Sequence, residues 1–369
     1  MAAMRFDATT FESDSTTDGG RTADRGATEP DARSDAETDV RGAETDVRPG
    51  AETDRKTGPG RHHQRDASDT GGRPTIPLRV LSPSRASDFL TCPLRYRFRV
   101  IDRIPEQPSR EAVRGTVVHA VLERLYDLPS DGRTIEQAVT LLEPRWQALV
   151  EAEPDLATLF GAEDGTFQPE RLEEFLAGAR LLLDRYFTLE DPTRLEPAER
   201  EMYVECELES GLRLRGYIDR LDVAPDGALR VVDYKTGRAP GAGYEQRAMF
   251  QMRFYALMLW RLRGVVPRLL QLVYLGSGDL LRYAPDEADL RATERKLQAL
   301  WAAIERAYET GEWRASPGPL CDWCDHKVRC PAWGGTPPPL PTTTSDPDPS
   351  AAEAATSEAP SPHSSAIDL

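Results

Sequence analysis

Asp219 and Asp233 lie near the ends of two short segments, Gly216-Tyr-Ile-Asp219 and Val232-Asp-Tyr-Lys235, and Lys235 follows the second aspartate by two residues. Pro225-Asp-Gly227 lies between them and reads as a turn that folds one segment back on the other, so hairpin pairing can bring the carboxylates together. Two carboxylates and a backbone carbonyl are the hard oxygen set that Mg²⁺ prefers, with waters completing the octahedron. Strand residues two apart share a face, which turns Lys235 the same way as Asp233. An ammonium there can orient or deprotonate a water and offset phosphate charge, while the cation lowers the pKa of that water and polarises a phosphoryl oxygen. Asp-x-Lys alone is common on solvated strand faces, with Thr236-Gly237 as an ordinary turn. It gains weight here from the Gly-x-x-Asp strand before it and the Gln251-x3-Tyr255 helix after it.

A second chemistry-bearing set consists of cysteines. Cys92 stands alone, and Cys321, Cys324 and Cys330 form a Cys-x2-Cys-x5-Cys run more than two hundred residues later. Four thiolates suit either Zn²⁺ or an iron–sulfur cluster. In a reducing compartment such a set is metal-binding or catalytic rather than disulfide-bonded. The fifth cysteine, Cys206, falls in a strand and reads as a core residue.

The elements that must position these residues follow from periodicity. Ser82-Pro-Ser-Arg-Ala-Ser-Asp-Phe-Leu90 reads as a capped helix ending near Cys92-Pro93. Glu111–Tyr126 carries apolar residues at helical spacing, and further helices are expected at about 134–152 and 169–188. The period then changes to that of strands at Met202–Leu208, Leu212–Val223 and Ala228–Tyr234. A helix at Tyr244–Arg263, a strand at Leu269–Leu275 and a helix at Asp286–Thr310 complete an α/β core with a mixed sheet and a helical N-terminal part. Residues 1–76 contain a polar repeat, Ala-Glu-Thr-Asp-Val-Arg, too short and too polar for a solenoid, and read as a disordered acidic tail. Residues 335–369 are Pro/Ser/Thr-rich and read as disordered too.

The formal net charge is −16, of which each tail carries −5 and the middle −6. This argues against a generic polyanion binder held by a global basic field, so nucleic-acid contact must come from local clusters such as Arg95, Arg97 and Arg99. No apolar run approaches the ~20 residues that span a bilayer, and the first residues lack the apolar core of a secretory signal. A cytoplasmic protein with no membrane partner is expected. No Gly-x4-Gly-Lys-Ser/Thr loop is present, so no ATP site is evident.

Four motifs together resemble the RecB-family branch of the PD-(D/E)XK nucleases: Gly115-x3-His119, Gly216-x2-Asp219-Arg220-x-Asp222, Asp233-x-Lys235-Thr236-Gly237 and Gln251-x3-Tyr255. They occur in the family's order, within residues 77–334, which read as one restriction-endonuclease-like domain. The resemblance implies that His119, Asp219, Asp233 and the carbonyl of Tyr234 bind Mg²⁺ or Mn²⁺. It makes Lys235 the catalytic lysine and has Gln251 and Tyr255 brace the site or touch DNA. A lone histidine on an apolar helix face is ordinarily a core residue; the Gly115 spacing and the other motifs favour the ligand reading. Asp222 lies on the other side of its strand by odd spacing. Glu205, Glu207 and, one helical turn after His119, Glu123 could support the site. The one-plus-three cysteines, with Cys92-Pro93 and Cys330-Pro331, resemble AddB-type and CRISPR-adaptation nucleases, which implies a [4Fe–4S] cluster acting as a structural staple.

The expected function is metal-dependent hydrolysis of DNA, first of all as an exonuclease in repair or recombination with a helicase partner. The alternatives are a CRISPR-adaptation nuclease, a non-catalytic iron–sulfur DNA-binding module and a zinc scaffold. Polarity, strand preference and oligomeric state are not legible.

Overall fold

The computed structural model describes residues 79–162, 166–241 and 243–341. The N-terminal repeat tail and all but the first residues of the C-terminal tail lie outside the described residues. A two-residue strand, β1 (Val80–Leu81), leads into α1 (Pro83–Thr91). Ser82 is its extended N-cap, the hydroxyl accepting from the Arg85 N–H, and Pro83 occupies the first turn, where a missing donor costs nothing. Next, α2 (Pro93–Tyr96) runs into a π-helical turn at Arg97–Ile101. The following helix, α3 (Arg110–Leu125), buries Val113, Val117, Val121 and Leu125 along one stripe.

The stretch expected as one helix at about 134–152 is two, α4 (Ile135–Thr140) and α5 (Leu142–Ala152). Pro144 is the cause: its ring collides with the carbonyl four residues back, that of Thr140, and the first helix stops there. The longest helix of this layer is α6 (Pro169–Leu189).

A three-stranded antiparallel meander follows: β2 (Glu199–Glu207), β3 (Arg213–Val223) and β4 (Leu229–Lys235). The chain crosses over through α7 (Glu245–Ala248) and α8 (Phe250–Arg263) to β5 (Leu269–Tyr274), which lies parallel to β4. An antiparallel strand, β6 (Asp279–Tyr283), precedes α9 (Glu287–Thr310). β6 was not anticipated from the sequence because Asp279-Leu-Leu-Arg-Tyr283 is short and does not alternate. The mixed sheet runs β1-β3-β4-β5-β6, with β2 on β3.

Helices cover both faces of this sheet. Leu214, Ile218, Leu270 and Leu272 form one core with residues of α1, α8 and α9. On the other face Val232, Tyr234, Val273 and Leu275 pack against α3, α5 and α6. Past Gly334 the chain still makes contacts: the Arg97 guanidinium donates to the Pro338 carbonyl, and Leu340 packs against the first core.

A buried ionic network sits beneath the second face. The fully buried Arg220 pairs with Glu190 at 2.8 Å and Asp222 at 3.2 Å, and donates to the hydroxyls of Tyr234 at 2.6 Å and Tyr126 at 3.2 Å. Arg230 pairs with Asp222 at 2.7 Å, and Gln271 donates to Glu190 at 2.9 Å. Burial pushes the Glu190 carboxyl up, but the Arg220 charge outweighs this and leaves its pKa lowered. Glu190→Ala uncouples a buried guanidinium and is expected to lower unfolding stability by about 3 kcal/mol, read by urea titration; a loss under about 1 kcal/mol would show that Asp222 alone satisfies Arg220.

Candidate active site

The site forms where the β3–β4 ladder stops. Paired residues run from Val223↔Leu229 to Arg220↔Val232, and no pair continues past them. Beyond that point the Asp219 carboxylate takes the place of the next ladder acceptor, its Oδ2 receiving the Tyr234 N–H at 2.8 Å. Strand alternation slips at the same place. Leu214 and Ile218 face the core under α8, whereas Arg220 lies with Tyr126 and Tyr234 on the opposite face and Leu221 returns to the first core. Glu201 on β2 stands in line with Asp219 and adopts a left-handed φ of 44°. For a non-glycine residue this is strain, of the kind that collects at functional sites.

His119 comes to this place on α3. Gly115, one turn earlier, lets the helix approach closely: a Cβ there would meet Thr236 Oγ1 at 3.3 Å. The His119 Nε2 lies 2.9 Å from the Tyr234 carbonyl, which can only accept, so Nε2 carries the hydrogen. The Nδ1 lone pair is then left facing Asp219 Oδ2 at 3.4 Å and Glu201 Oε1 at 3.9 Å. A histidine that donates one ring N–H to a backbone carbonyl and aims the other nitrogen at carboxylates is the usual posture of a metal ligand. Among the described residues, His119, Glu201 and Asp219 are the one group of three His, Cys, Asp or Glu whose ligand atoms lie within 4.8 Å of one another. Three acceptors with no donor between them require a proton or a cation. Burial, then Asp219, pushes the Glu201 carboxyl up to about 7; burial, then Asp233, pushes Asp219 up to about 6.

Asp233 and Lys235 face the α8 side. The Lys235 ammonium lies 2.6 Å from Asp233 Oδ2 and donates to Gln251 Oε1 at 2.9 Å. Gln251 Nε2 donates to Asp233 Oδ1 at 2.9 Å and to the Tyr255 hydroxyl at 3.1 Å. Burial pulls the Lys235 pKa down, but Asp233 more than offsets it, leaving the ammonium above its ordinary value. Tyr255 packs on Gly216, where any Cβ would meet its ring at 2.8 Å. The Gly-x-x-Asp and Gln-x3-Tyr motifs are thus joined by direct contact.

The sequence-expected residues His119, Asp219, Asp233, Tyr234, Lys235, Gln251 and Tyr255 therefore share one neighbourhood. Asp222 belongs to the Arg220 network and not to the acidic group; the slip of alternation, rather than the odd spacing, sets it with Arg220 on the second face. Glu205 pairs with Arg213 at 3.6 Å and Glu207 is exposed, both away from His119. Glu123 lies 3.9 Å from Arg124 and makes no contact with the His119 ring among the hydrogen bonds and ion pairs of the described residues. Glu201 was missed; the signal was its alternation with Tyr203 on β2, which places it on the row of Asp219 once the register is known.

The cysteines converge from the two ends of the described chain. Cys92 separates α1 from α2, and Cys321, Cys324 and Cys330 lie in the irregular segment after α9. All four line one cavity of about 790 Å³. Backbone N–H groups of Ser316 and Gly318 donate to the sulfurs of Cys92 and Cys321 at 3.4 and 3.3 Å. No three of the thiols come within 4.8 Å of one another. Cys206 is buried in the first core.

Against known proteins, a family model for the PD-(D/E)XK nuclease superfamily matches residues 80–331. The chain belongs to this superfamily. It is also similar to the Gene 69 protein of Mycobacterium phage D29, 29% identical over 279 residues that cover 70% of this chain and 98% of the relative. The Gene 69 protein of Mycobacterium phage L5 is 26% identical over 298 residues, covering 72% and 99%. A crystal structure of a candidate exonuclease from Eubacterium rectale aligns with a TM-score of 0.43 at 13% identity, covering 68% of this chain and 88% of that one. Members of the PD-(D/E)XK nuclease superfamily use divalent metals, and the donor set at His119, Glu201 and Asp219, hard oxygens with one imidazole, fits such an ion.

The raised carboxyls give a pH signature. A carboxyl whose folded pKa lies above its unfolded value of about 4 stabilises the fold below that pH, and this contribution is lost as pH rises toward 6–7. Metal binding needs the same groups deprotonated. The expected result is that Mn²⁺ raises the Tm by several degrees at about pH 8 and far less at about pH 5.5. Asp219→Asn should abolish the gain without lowering the metal-free Tm. Equal gains at both pH values in thermal unfolding would count against this donor set.

Proposed function

We propose that this nuclease is a divalent-metal-dependent deoxyribonuclease that hydrolyses phosphodiester bonds, acting as an exonuclease on free DNA ends. The observation that carries the reading is the convergence of His119, Glu201 and Asp219 beside the Asp233–Lys235–Gln251 chain. His119, Asp219 and Asp233 would hold Mg²⁺ or Mn²⁺, with the second lone pair of the Tyr234 carbonyl available to it and Glu201 added to the set. A bound cation supplies a more acidic water and a polarised phosphoryl oxygen. Lys235 remains an ammonium in contact with Asp233, so its part is to orient the attacking water and offset phosphate charge rather than to take a proton. Gln251 fixes Asp233 and Lys235 relative to each other, and Tyr255 anchors Gln251 from α8.

The four cysteines are read as ligands of a [4Fe–4S] cluster that staples α1 and α2 to the C-terminal segment. Two N–H donors on sulfur favour thiolates. A single tetrahedral zinc with bonds of about 2.3 Å would draw all four sulfurs within about 4 Å of one another, whereas no three of them lie within 4.8 Å of one another here. A role in repair or recombination beside a helicase follows from the RecB-family resemblance, since the sequence carries no phosphate-binding loop for a motor of its own.

Anaerobically purified protein incubated with end-labelled DNA and Mn²⁺ or Mg²⁺ is expected to release nucleotides progressively from an end. Lys235→Ala should reduce the rate by at least about a hundredfold. Metal-dependent cleavage that survives Lys235→Ala would overturn the assignment, and internal cuts alone would replace the exonuclease reading with an endonuclease. Cys321→Ala is expected to lose iron and to lower the Tm; a variant that stays folded and active without iron would remove the staple.

A further inference from the structure

The β2–β3 ladder continues past the acidic group with rows on the same face. Glu201 and Asp219 come first, Tyr203 pairs with Tyr217 next, and Glu205 pairs with Arg215 after that. Residues two apart along a strand share a face at about 7 Å spacing, so the tyrosine row is the immediate neighbour of the carboxylates. The two rings lie 5.2 Å apart, inclined at 56°. Tyr203 is 48% exposed, Tyr217 half-buried behind it. The Tyr203 hydroxyl donates to Glu205, which holds the ring in place. One cavity of about 420 Å³ is lined by Tyr203, Arg215, Tyr217, Asp219, Gln251 and the first turn of α1, so the rings open into the same space as the acidic group.

An exposed aromatic pair could serve only to stabilise the ladder. The charge balance gives it more to do. With a net charge of −16 the chain has no global field to draw a phosphate backbone, so grip must come from local contacts, and one indifferent to charge adds to what local arginines supply. Stacking of a base on an aromatic ring is such a contact. A base inside a duplex has both faces covered by its neighbours and cannot lie on Tyr203, whereas an unpaired base can.

We infer that Tyr203, buttressed by Tyr217, is a stacking seat for one unpaired base next to the phosphate handled by the acidic group. The fate of the strand rests on the nuclease reading; its capture does not.

The test measures binding by fluorescence anisotropy with the full chain carrying Lys235→Ala, in Mg²⁺. The probes are a single-stranded DNA oligonucleotide without self-complementarity, the same strand annealed to its full complement, the single strand with abasic sites, and an RNA of the same sequence. Tyr203→Ala should weaken single-strand binding between about fivefold and a hundredfold, the range for losing one base–aromatic stack. Tyr203→Phe and Tyr203→Trp should retain binding, and the duplex and abasic probes should be indifferent to Tyr203→Ala. A loss with DNA alone assigns the seat to DNA, and an equal loss with RNA assigns it to single strands of either sugar. No loss, or an equal loss on the duplex and abasic probes, overturns the inference. In the Lys235 background none of these outcomes depends on cleavage. A wild-type protein that cuts nothing but shows the Tyr203 dependence would keep the seat and remove the nuclease. Cleavage of single strand and duplex alike, untouched by Tyr203→Ala, would do the reverse.

Discussion

One hydrogen bond organises this molecule's chemistry: the Tyr234 N–H donated to the Asp219 carboxylate at 2.8 Å, at the point where β3 and β4 part. A side chain takes over from a backbone acceptor there, so the strands can separate without leaving the Tyr234 donor unmet. Tyr234 is then held at three points, its N–H by Asp219, its carbonyl by His119 and its hydroxyl by Arg220. Because Tyr234 cannot turn, its neighbours Asp233 and Lys235 are fixed toward Gln251 on the other face. The site therefore straddles the gap, with His119, Glu201 and Asp219 on one side and the Asp233–Lys235–Gln251 chain on the other. The cost is visible in the raised Asp219 and Glu201 carboxyls and in the left-handed backbone at Glu201. Apolar residues in the place of such a group would serve stability better.

Much of this was legible because the chemistry is concentrated in motifs whose spacing matches one strand or one helical turn. Asp233 and Lys235 share a strand face, and Gln251 and Tyr255 share a helix face, wherever the elements end up. What lies between elements was not legible. Glu201 became visible only with the β2–β3 register, since Glu199, Glu205 and Glu207 were equally acidic candidates on the same strand. The slip of alternation at Asp219 has no counterpart in the sequence, because it comes from the ladder's end and not from a residue type. The division of α4 from α5 was written at Pro144, yet the apolar period running through it made the stretch read as one helix. The Arg220 network drew no attention either: Glu190 comes from the end of α6, and no spacing rule joins it to a strand arginine thirty residues later.

The cysteine cavity and the acidic site are not independent, and α1 is what couples them. Its first turn, at Pro83 and Ser84, lines the cavity beside Asp219 and Gln251, while Cys92 follows directly from its last turn. Nine helical residues at about 1.5 Å each make a strut of roughly 14 Å between the two sites. Pro83 lies close to Gly216, so the strut touches β3 at the place where Tyr255 also packs. At its other end, Phe89 packs on Tyr96, Tyr96 stacks on Trp313, and Trp313 meets Tyr308 of α9. A staple through Cys92 and the C-terminal cysteines would close a loop of more than two hundred residues, where the closure entropy withheld from the unfolded chain is large. In this reading the cluster needs no electron-transfer role to matter for activity. By fixing the far end of α1 a cluster there would fix the wall against which Gly216, Tyr255 and the carboxylate of Asp219 are set.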